Sequence, residues 1–391
     1  MSDLSDDRDD DELVPLEAAL SHPLGGTSLA NWMALLREHG EVAPECRGRA
    51  GIITLYTFVN WLSRLRMSLF DGPRIRRTPI VYPPVFIVGH WRSGTTFLHD
   101  IMSRDPALAA PMLYQTLAPR AFMALARLGP LYRRLLPPTR PMDNVALTFE
   151  GATEDEMALA AMGRLSIMHC MYFPQAAARL FRRHVLLEGL TDAERQRFID
   201  DLMWFYRAVT DASGGKRLII KNPSHTARIP LLLELFPGAR FIHLYRNPYD
   251  VYASTVHMQV KLAARLGLQR ITRHELKRQT LRAYPELMQR WFDDKHLIPP
   301  GNLVEVRYED LERDAPGTMR RIYEKLNLPG YGEAEPHFRG YLDSLREYRK
   351  NEHRLTQEEI NRVAEAWSLT IERWHYPPPS LTARDVQSVS A

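Results

Sequence analysis

Cysteine is nearly absent from this chain: Cys46 and Cys170 are the two present in 391 residues, at no paired spacing. Neither a disulfide framework nor a cysteine-held zinc site can be built from them, and a reducing, cytoplasmic setting is the default. Long apolar runs are missing too. No stretch reaches the roughly 18 uncharged apolar residues that a spanning helix needs. The N-terminus lacks the basic and apolar pattern of a secretory signal. These absences predict no transmembrane segment and leave peripheral membrane contact as the membrane role still open. No internal repeat occurs, and low complexity is confined to an acidic leader. In residues 1–12 of that leader seven acids stand against Arg8 alone. The rest of the chain holds fifty bases and forty acids, a net +10 where the whole chain has +4. A body this basic suits an anionic ligand, a nucleic acid or an acidic membrane surface. The leader, to about residue 14, reads as a solvated disordered tail, and residues 379–391 as a flexible one.

What is present is an ordinary globular composition, 45% apolar and 25% charged, in a chain long enough to bury a substantial core. Apolar positions recur at helical spacing over 27–39 and 52–70, with Arg64 and Arg66 interrupting the second stretch. They predict an N-terminal helical segment, 15–80, whose stripes pack on the core. Short continuous apolar runs of the doubly buried strand type follow: VFIVG from Val85, RLII before Lys221, RFIHLY before Arg246 and NLVEV before Arg307. Helical patterns over 97–104, 226–236, 248–266 and 315–326 alternate with them. This rhythm predicts an α/β fold, a mainly parallel sheet with helices on both faces. Capping-box spacings at Thr191 with Glu194 and Thr356 with Glu359 mark two further helix starts. The stretch 112–150, rich in Met, Leu, Pro and Arg, breaks the rhythm. It reads either as a lid or acceptor-side insertion, within a larger insertion of about 107–215, or as a plain pair of surface helices.

The run VFIVG leads into Gly89, His90, Trp91, Arg92, Ser93, Gly94, Thr95 and Thr96, and FLHDIM then begins a helix. Strand, glycine loop and helix in this order aim backbone N–H groups and the positive helix end at a phosphate. The glycines match positions one and six of a Walker A loop. Position seven, where a nucleotide triphosphatase keeps lysine, is Thr95, and the cation lies inside the loop as Arg92. The strand RFIHLY ends at Arg246 where such enzymes keep an acid for Mg²⁺. The loop therefore suits a ligand with a 5′-phosphate and no metal-bridged triphosphate, and no metal site is expected.

The segment VFIVGHWRSGTTFLHDIM resembles the 5′-phosphosulfate loop of the sulfotransferases that use 3′-phosphoadenosine 5′-phosphosulfate (PAPS). Residues Arg246 to Ser254, with Arg and Ser eight apart, resemble that family's 3′-phosphate motif. KNPSHTARIPLLLELFPGARFIHLYRNP follows its bacterial and tyrosylprotein-type branch. The resemblance runs from about residue 83 to 375. It implies a P-loop-type sulfotransferase domain over 81–378, PAPS as co-substrate, and transfer of the sulfuryl group to a hydroxyl or amine acceptor.

The resemblance also implies roles. Ser93, Gly94, Thr95 and Thr96 would hold the 5′-phosphate, and Arg246 and Ser254 the 3′-phosphate. A basic loop from Tyr348 to His353, with Arg349 and Lys350, would close over the nucleotide. Arg92 and Lys221 would neutralise charge on the transferring group. The acceptor must lose a proton, so a base is needed. Candidates are Glu154 and Glu156, in the Glu154, Asp155, Glu156 cluster at the front of an apolar helix, and His225. That histidine follows Lys221 by four residues, where cytosolic-type members keep a histidine two residues on. Acids in a first helical turn also serve the helix dipole.

Met112, Leu113, Tyr114, Phe122, Met123 and Leu125 would favour an apolar alcohol, phenol or lipid as acceptor if they line the site; otherwise they are core. Two other classes remain: a P-loop kinase or triphosphatase, disfavoured by the displaced cation, and a non-enzymatic nucleotide or nucleic-acid binder. The basic and aromatic interleaving of RNA modules is missing, so no nucleic-acid partner is expected.

Overall fold

The computed structural model describes residues 12–13, 22–127, 129–135, 147–345 and 354–379. Most of the acidic leader, residues 380–391 of the C-terminal tail, and the whole Tyr348–His353 loop with Arg349 and Lys350 lie outside the described residues.

The strands β1 (Val85–Val88), β2 (Leu108–Ala109), β3 (Arg217–Lys221), β4 (Arg240–Tyr245) and β5 (Leu303–Arg307) form one sheet in the spatial order β2-β3-β1-β4-β5. Every neighbouring pair is parallel. The four strands read from apolar runs stand where those runs are, and the two-residue β2, too short to show a pattern, extends the sheet at one edge. Side chains alternate across a strand, so β1 serves two cores at once. Phe86 and Val88 join Ile220 and Phe241 beneath α5 (Asp192–Ala212) and α7 (Arg273–Asp294). Val85 and Ile87 join Ile219 and Ile242 beneath α3 (Thr95–Met102) and α8 (Ala315–Lys325). Each such fully buried side chain contributes about 1.5 to 3 kcal/mol.

The remaining helices that matter are α1 (Leu29–His39), α2 (Arg47–Val59), α4 (Glu156–Met162), α6 (Pro248–Leu266) and α9 (Gln357–Ala366). Both capping boxes close: the Thr191 and Thr356 N–H groups each donate to a glutamate oxygen at 2.9 Å. The helix α7, with Pro285 inside it and charged residues throughout, carries no clean apolar stripe in sequence, yet buries Tyr284, Leu287, Met288 and Trp291. In 112–150 the described chain forms short helices, Leu113–Leu117, Phe122–Arg127 and Gly129–Leu135. Phe122 belongs to the main core, and Tyr114 and Met123 pack against it, so these three are core rather than an acceptor wall.

The N-terminal segment departs from expectation in one respect. Trp32 and Leu35 of α1 and Ile53 of α2 pack as foreseen against Tyr172, Phe173 and Leu180. The helical run from Arg47 to Arg77, which includes a π-turn at Met67–Asp71, has a second apolar stripe that meets no core. The 52–70 stripe splits: Ile53 and Met67 are buried, while Leu55, Phe58, Leu62 and Phe70 are each at least 60% exposed.

Candidate active site

Because all five strands run the same way, their carboxyl ends share one edge, and β1 is the point where the chain first builds to one side and then to the other. Ligands of open α/β sheets bind at such a point. The loop after β1 turns there with Gly89 at φ 134° and Gly94 at φ 92°. A Cβ on Gly89 would come within 2.2 Å of the Leu244 carbonyl oxygen, and one on Gly94 within 2.2 Å of the Tyr308 ring. Both positions therefore require glycine. Arg92 takes φ 67°, a conformation costly for a residue with a side chain and commonly kept at functional loops. The Gly89 N–H is fixed by Thr226 Oγ1 at 2.8 Å, and the Ser93 hydroxyl by the His90 carbonyl at 2.7 Å. Gly94 is the N-cap of α3, so the loop delivers Thr95 and Thr96 to the first turn of that helix.

The loop and the segment after β4 interlock. Arg92 Nε donates to Ser254 Oγ at 2.9 Å, and Arg246 donates to the Arg92 carbonyl at 3.3 Å. The Arg246 guanidinium lies 4.6 Å from the centre of the Tyr308 ring. Its Nε is buried without a hydrogen-bond partner among the described residues. Tyr308 was not read from the sequence, although it follows β5 much as Arg246 follows β4, which was the available signal.

On the other side of β1, Lys221 ends β3 in register with Ile87 and is 2% exposed. Its ammonium contacts Glu154, which is 24% exposed. The next two acids go elsewhere. Asp155 accepts from Tyr206 at 2.7 Å and from Asn222 at 2.8 Å, and sits 3.1 Å from His225 Nε2. Glu156 pairs with Arg228 at 3.0 Å and accepts from Asn222 at 2.6 Å and from the Ile167 N–H at 2.8 Å. Asp155, Glu156, His225 and Arg228 are all buried. Burial would raise the Asp155 carboxyl, but the charge and hydrogen bond of His225, with Tyr206 and Asn222, outweigh it and hold the group below its ordinary range. Burial likewise acts on Glu156 and is outweighed by Arg228 and Asn222. Of the three base candidates, the structure brings Glu154 to Lys221 and sets Glu156 and His225 behind it in a closed network.

A cavity of about 310 Å³ opens beside the loop. His90, Trp91, Ile167, Met171, Phe181 and Met258 line it together with the charged Arg182, Glu275, Arg278, Arg282 and Glu286, between α6, α7 and the helix Ala177–His184. Among the described residues no group of three or more His, Cys, Asp or Glu side chains could hold a metal ion.

Comparison with known proteins places the chain in a family. The model of the Sulfotransferase family matches residues 83–333. A Mycobacterium bovis protein named omega-hydroxy-beta-dihydromenaquinone-9 sulfotransferase Stf3 is 34% identical over 354 residues, covering 90% of each chain. In fold, the chain is similar to sulfotransferase STF9 from Mycobacterium avium, with a TM-score of 0.64 at 18% identity over 89% of this chain and 96% of that one. It is also similar to STF1 from Mycobacterium tuberculosis, with a TM-score of 0.62 at 16% identity over 90% and 94%. The glycine loop after β1, Arg246 after β4 and the lysine ending β3 thus stand in a chain that belongs to the sulfotransferase family.

Proposed function

We propose that this sulfotransferase takes its sulfuryl group from PAPS and delivers it to the hydroxyl of an apolar, lipid-like acceptor. The observation that carries the acceptor reading is the cavity beside the loop, walled by Trp91, Ile167, Met171, Phe181 and Met258. The named activity of the Mycobacterium bovis relative, on a hydroxylated menaquinone, supports the same class. The residues fit the nucleotide: the loop leads into the first turn of α3, and the Arg246 Nε is buried without a hydrogen-bond partner among the described residues. The scarcity of cysteine fits a reducing, cytoplasmic compartment.

In this reading Ser93, Gly94, Thr95 and Thr96 hold the 5′-phosphate, and Arg246 and Ser254 hold the 3′-phosphate. Bound PAPS supplies a sulfuryl group on a phosphate leaving group. Arg92 and Lys221 neutralise the charge that grows on the departing oxygen; a fixed donor of this kind is worth about 3 to 4 kcal/mol. Glu154 receives the acceptor's hydroxyl proton as the new O–S bond forms and the old one breaks, leaving a sulfate ester and 3′-phosphoadenosine 5′-phosphate. Glu156 and His225 act through position, holding the strand end and the acid cluster in place. Arg349 and Lys350 remain candidates for closing over the nucleotide on the family resemblance.

The test is transfer from sulfur-labelled PAPS to an ω-hydroxylated long-chain quinone and, separately, to a polysaccharide. Label should enter the lipid, and Met258→Arg should cut kcat/KM for it at least about tenfold by blocking the cavity, with nucleotide affinity unchanged. Label on the polysaccharide and none on the lipid would overturn the acceptor assignment.

A further inference from the structure

The stripe left over on the Arg47–Arg77 helical run is an anomaly for a folded chain. The run already buries Ile53, Met67 and Ile75, which is all that anchoring it requires. Yet Leu55, Phe58, Val59, Leu62, Leu69 and Phe70 stand 60 to 74% exposed. At 100° per residue these six fall on one side of the helix. Scattered exposed apolar residues are normal, but a continuous strip this size marks a surface that something covers.

The charge on the same segment narrows what covers it. Residues 47–77 hold seven arginines and one acid, Asp71, and that acid lies 3.4 Å from Arg74. Arg66 interrupts the stripe, and Arg76 and Arg77 end it, all three exposed. Beside the stripe is a cavity of about 250 Å³ lined by Trp61, Leu65, Trp204 and three arginines, Arg64, Arg76 and Arg120. Among the described residues one carboxylate, Asp201, pairs with them, at 2.9 Å from Arg120. Burial and the neighbouring Arg120 charge pull Arg64 down to about 10, as expected where cations are crowded beyond their counter-ions. An apolar strip edged with arginine, with a cationic pocket carrying tryptophan at its side, is complementary to acyl chains below phosphate headgroups. A second copy of this chain is disfavoured, since a two-fold interface would lay the arginine-rich patch upon itself. No helix among the described residues is long and apolar enough to cross a membrane, so the segment lies on the surface rather than through it.

We infer that the 55–70 face docks this enzyme on a bilayer containing anionic phospholipid, with the Arg64, Arg76, Arg120 pocket taking a lipid phosphate. The inference rests on the exposed face and the arginines beside it, and not on which acceptor is sulfated. Flotation with vesicles of phosphatidylcholine, and of phosphatidylcholine mixed with phosphatidylglycerol, tests it. The full chain should float with the mixed vesicles, less so as salt rises. Arg66→Gln with Arg76→Gln and Arg77→Gln should weaken that partition about a hundredfold. Leu62→Glu with Phe70→Glu should abolish it. All five side chains are solvent-exposed, and unchanged 3′-phosphoadenosine 5′-phosphate affinity confirms that each variant is folded. Failure of the parent chain to float, or flotation unaffected by both variants, overturns the inference. So does a dimer in sedimentation that the Leu62/Phe70 variant dissociates while vesicles stay unbound.

Discussion

Either side of β1, one sheet edge presents cations in two different electrical settings. On the β3 side, Lys221, His225 and Arg228 face Glu154, Asp155 and Glu156 in turn, three bases against three consecutive acids. On the β4 side, Arg92 donates to a hydroxyl, and Arg246 to a carbonyl while lying over the Tyr308 ring. The protein supplies buried counter-charge on the first side; on the second, Arg246 meets a carbonyl, an aromatic ring and the exposed Asp250 carboxylate at 3.4 Å. A buried pair is costly to break and offers a ligand little, whereas a cation whose ion pair is solvent-exposed and weak keeps its charge for an anion. Glu154 and Lys221 stand at the boundary, since theirs is the one pair of the three with a partly exposed member.

The largest effects should come from splitting the acid triplet. Glu156→Ala leaves Arg228 buried without its counter-charge and should cost about 3 to 5 kcal/mol in urea unfolding. Glu154→Gln should instead leave unfolding and nucleotide affinity intact and cut turnover by about 10² to 10⁴. If Glu154→Gln turns over normally while His225→Ala is folded, binds nucleotide and is inactive, the proton goes to the histidine and the boundary has been drawn in the wrong place.

On the other side, Arg246→Ala should cost the 3′-phosphorylated nucleotide about 2 to 4 kcal/mol in calorimetry and leave adenosine 5′-phosphate unchanged. An equal loss for both nucleotides would mean that Arg246 supports the loop through the Arg92 carbonyl and does not read the 3′-phosphate.

Acid should damage the paired side, because buried histidines back onto it. Arg228 donates to the His184 carbonyl at 2.5 Å, and His184 packs against His169 and His39 with ring centres 5.5 and 6.0 Å away. Burial lowers His169 to about 4; burial and the His169 charge lower His39 to about 3; the same causes push His184 well below its ordinary value. A ring with a depressed pKa stays neutral in the folded state while the unfolded chain, near 6.5, takes up a proton. Its stabilisation is whole above about pH 6.5 and is lost as pH falls toward the folded value, by up to about 1.4 kcal/mol per pH unit for each ring. Neither ring nitrogen of His39 has a hydrogen-bond partner among the described residues, and the ring lies 5.0 Å from Phe173. His39→Phe should therefore fold and flatten the slope of unfolding free energy between pH 6.5 and 4. An unchanged slope would place the acid sensitivity elsewhere.

Sequence made the β4 side more legible than the β3 side, for a physical reason. A phosphate loop is local: strand, glycines and helix are contiguous, so Gly89, Arg92 and Gly94 announce themselves, and Arg246 to Ser254 is one strand end and the helix after it. The pairing of the 154–156 acids depends on α4 and α5 meeting the end of β3, contacts across some 70 residues that no spacing encodes. The sequence named the acids and the histidine there, but which acid faces Lys221 is set by packing. Tyr308 was missed because an aromatic after a strand is usually core. The 52–70 stripe was read as wholly buried because apolar periodicity reports an apolar face and not what covers it.

The smallest effect tests whether the exposed pair on the β4 side is as weak in energy as its geometry suggests. Asp250 lies 3.4 Å from Arg246, one helical turn on, with its side chain 55% exposed. A surface pair at this spacing is worth about 0.3 to 0.5 kcal/mol and is screened by salt. If Arg246 is held for a phosphate, Asp250 is a weak competitor, and Asp250→Asn should tighten 3′-phosphoadenosine 5′-phosphate binding about twofold at low salt and not at all at high salt. If the substitution weakens binding tenfold instead, Asp250 orients the guanidinium as Glu156 orients Arg228. Both sides of the sheet edge would then be built from internal ion pairs, and the contrast between them would rest on burial alone.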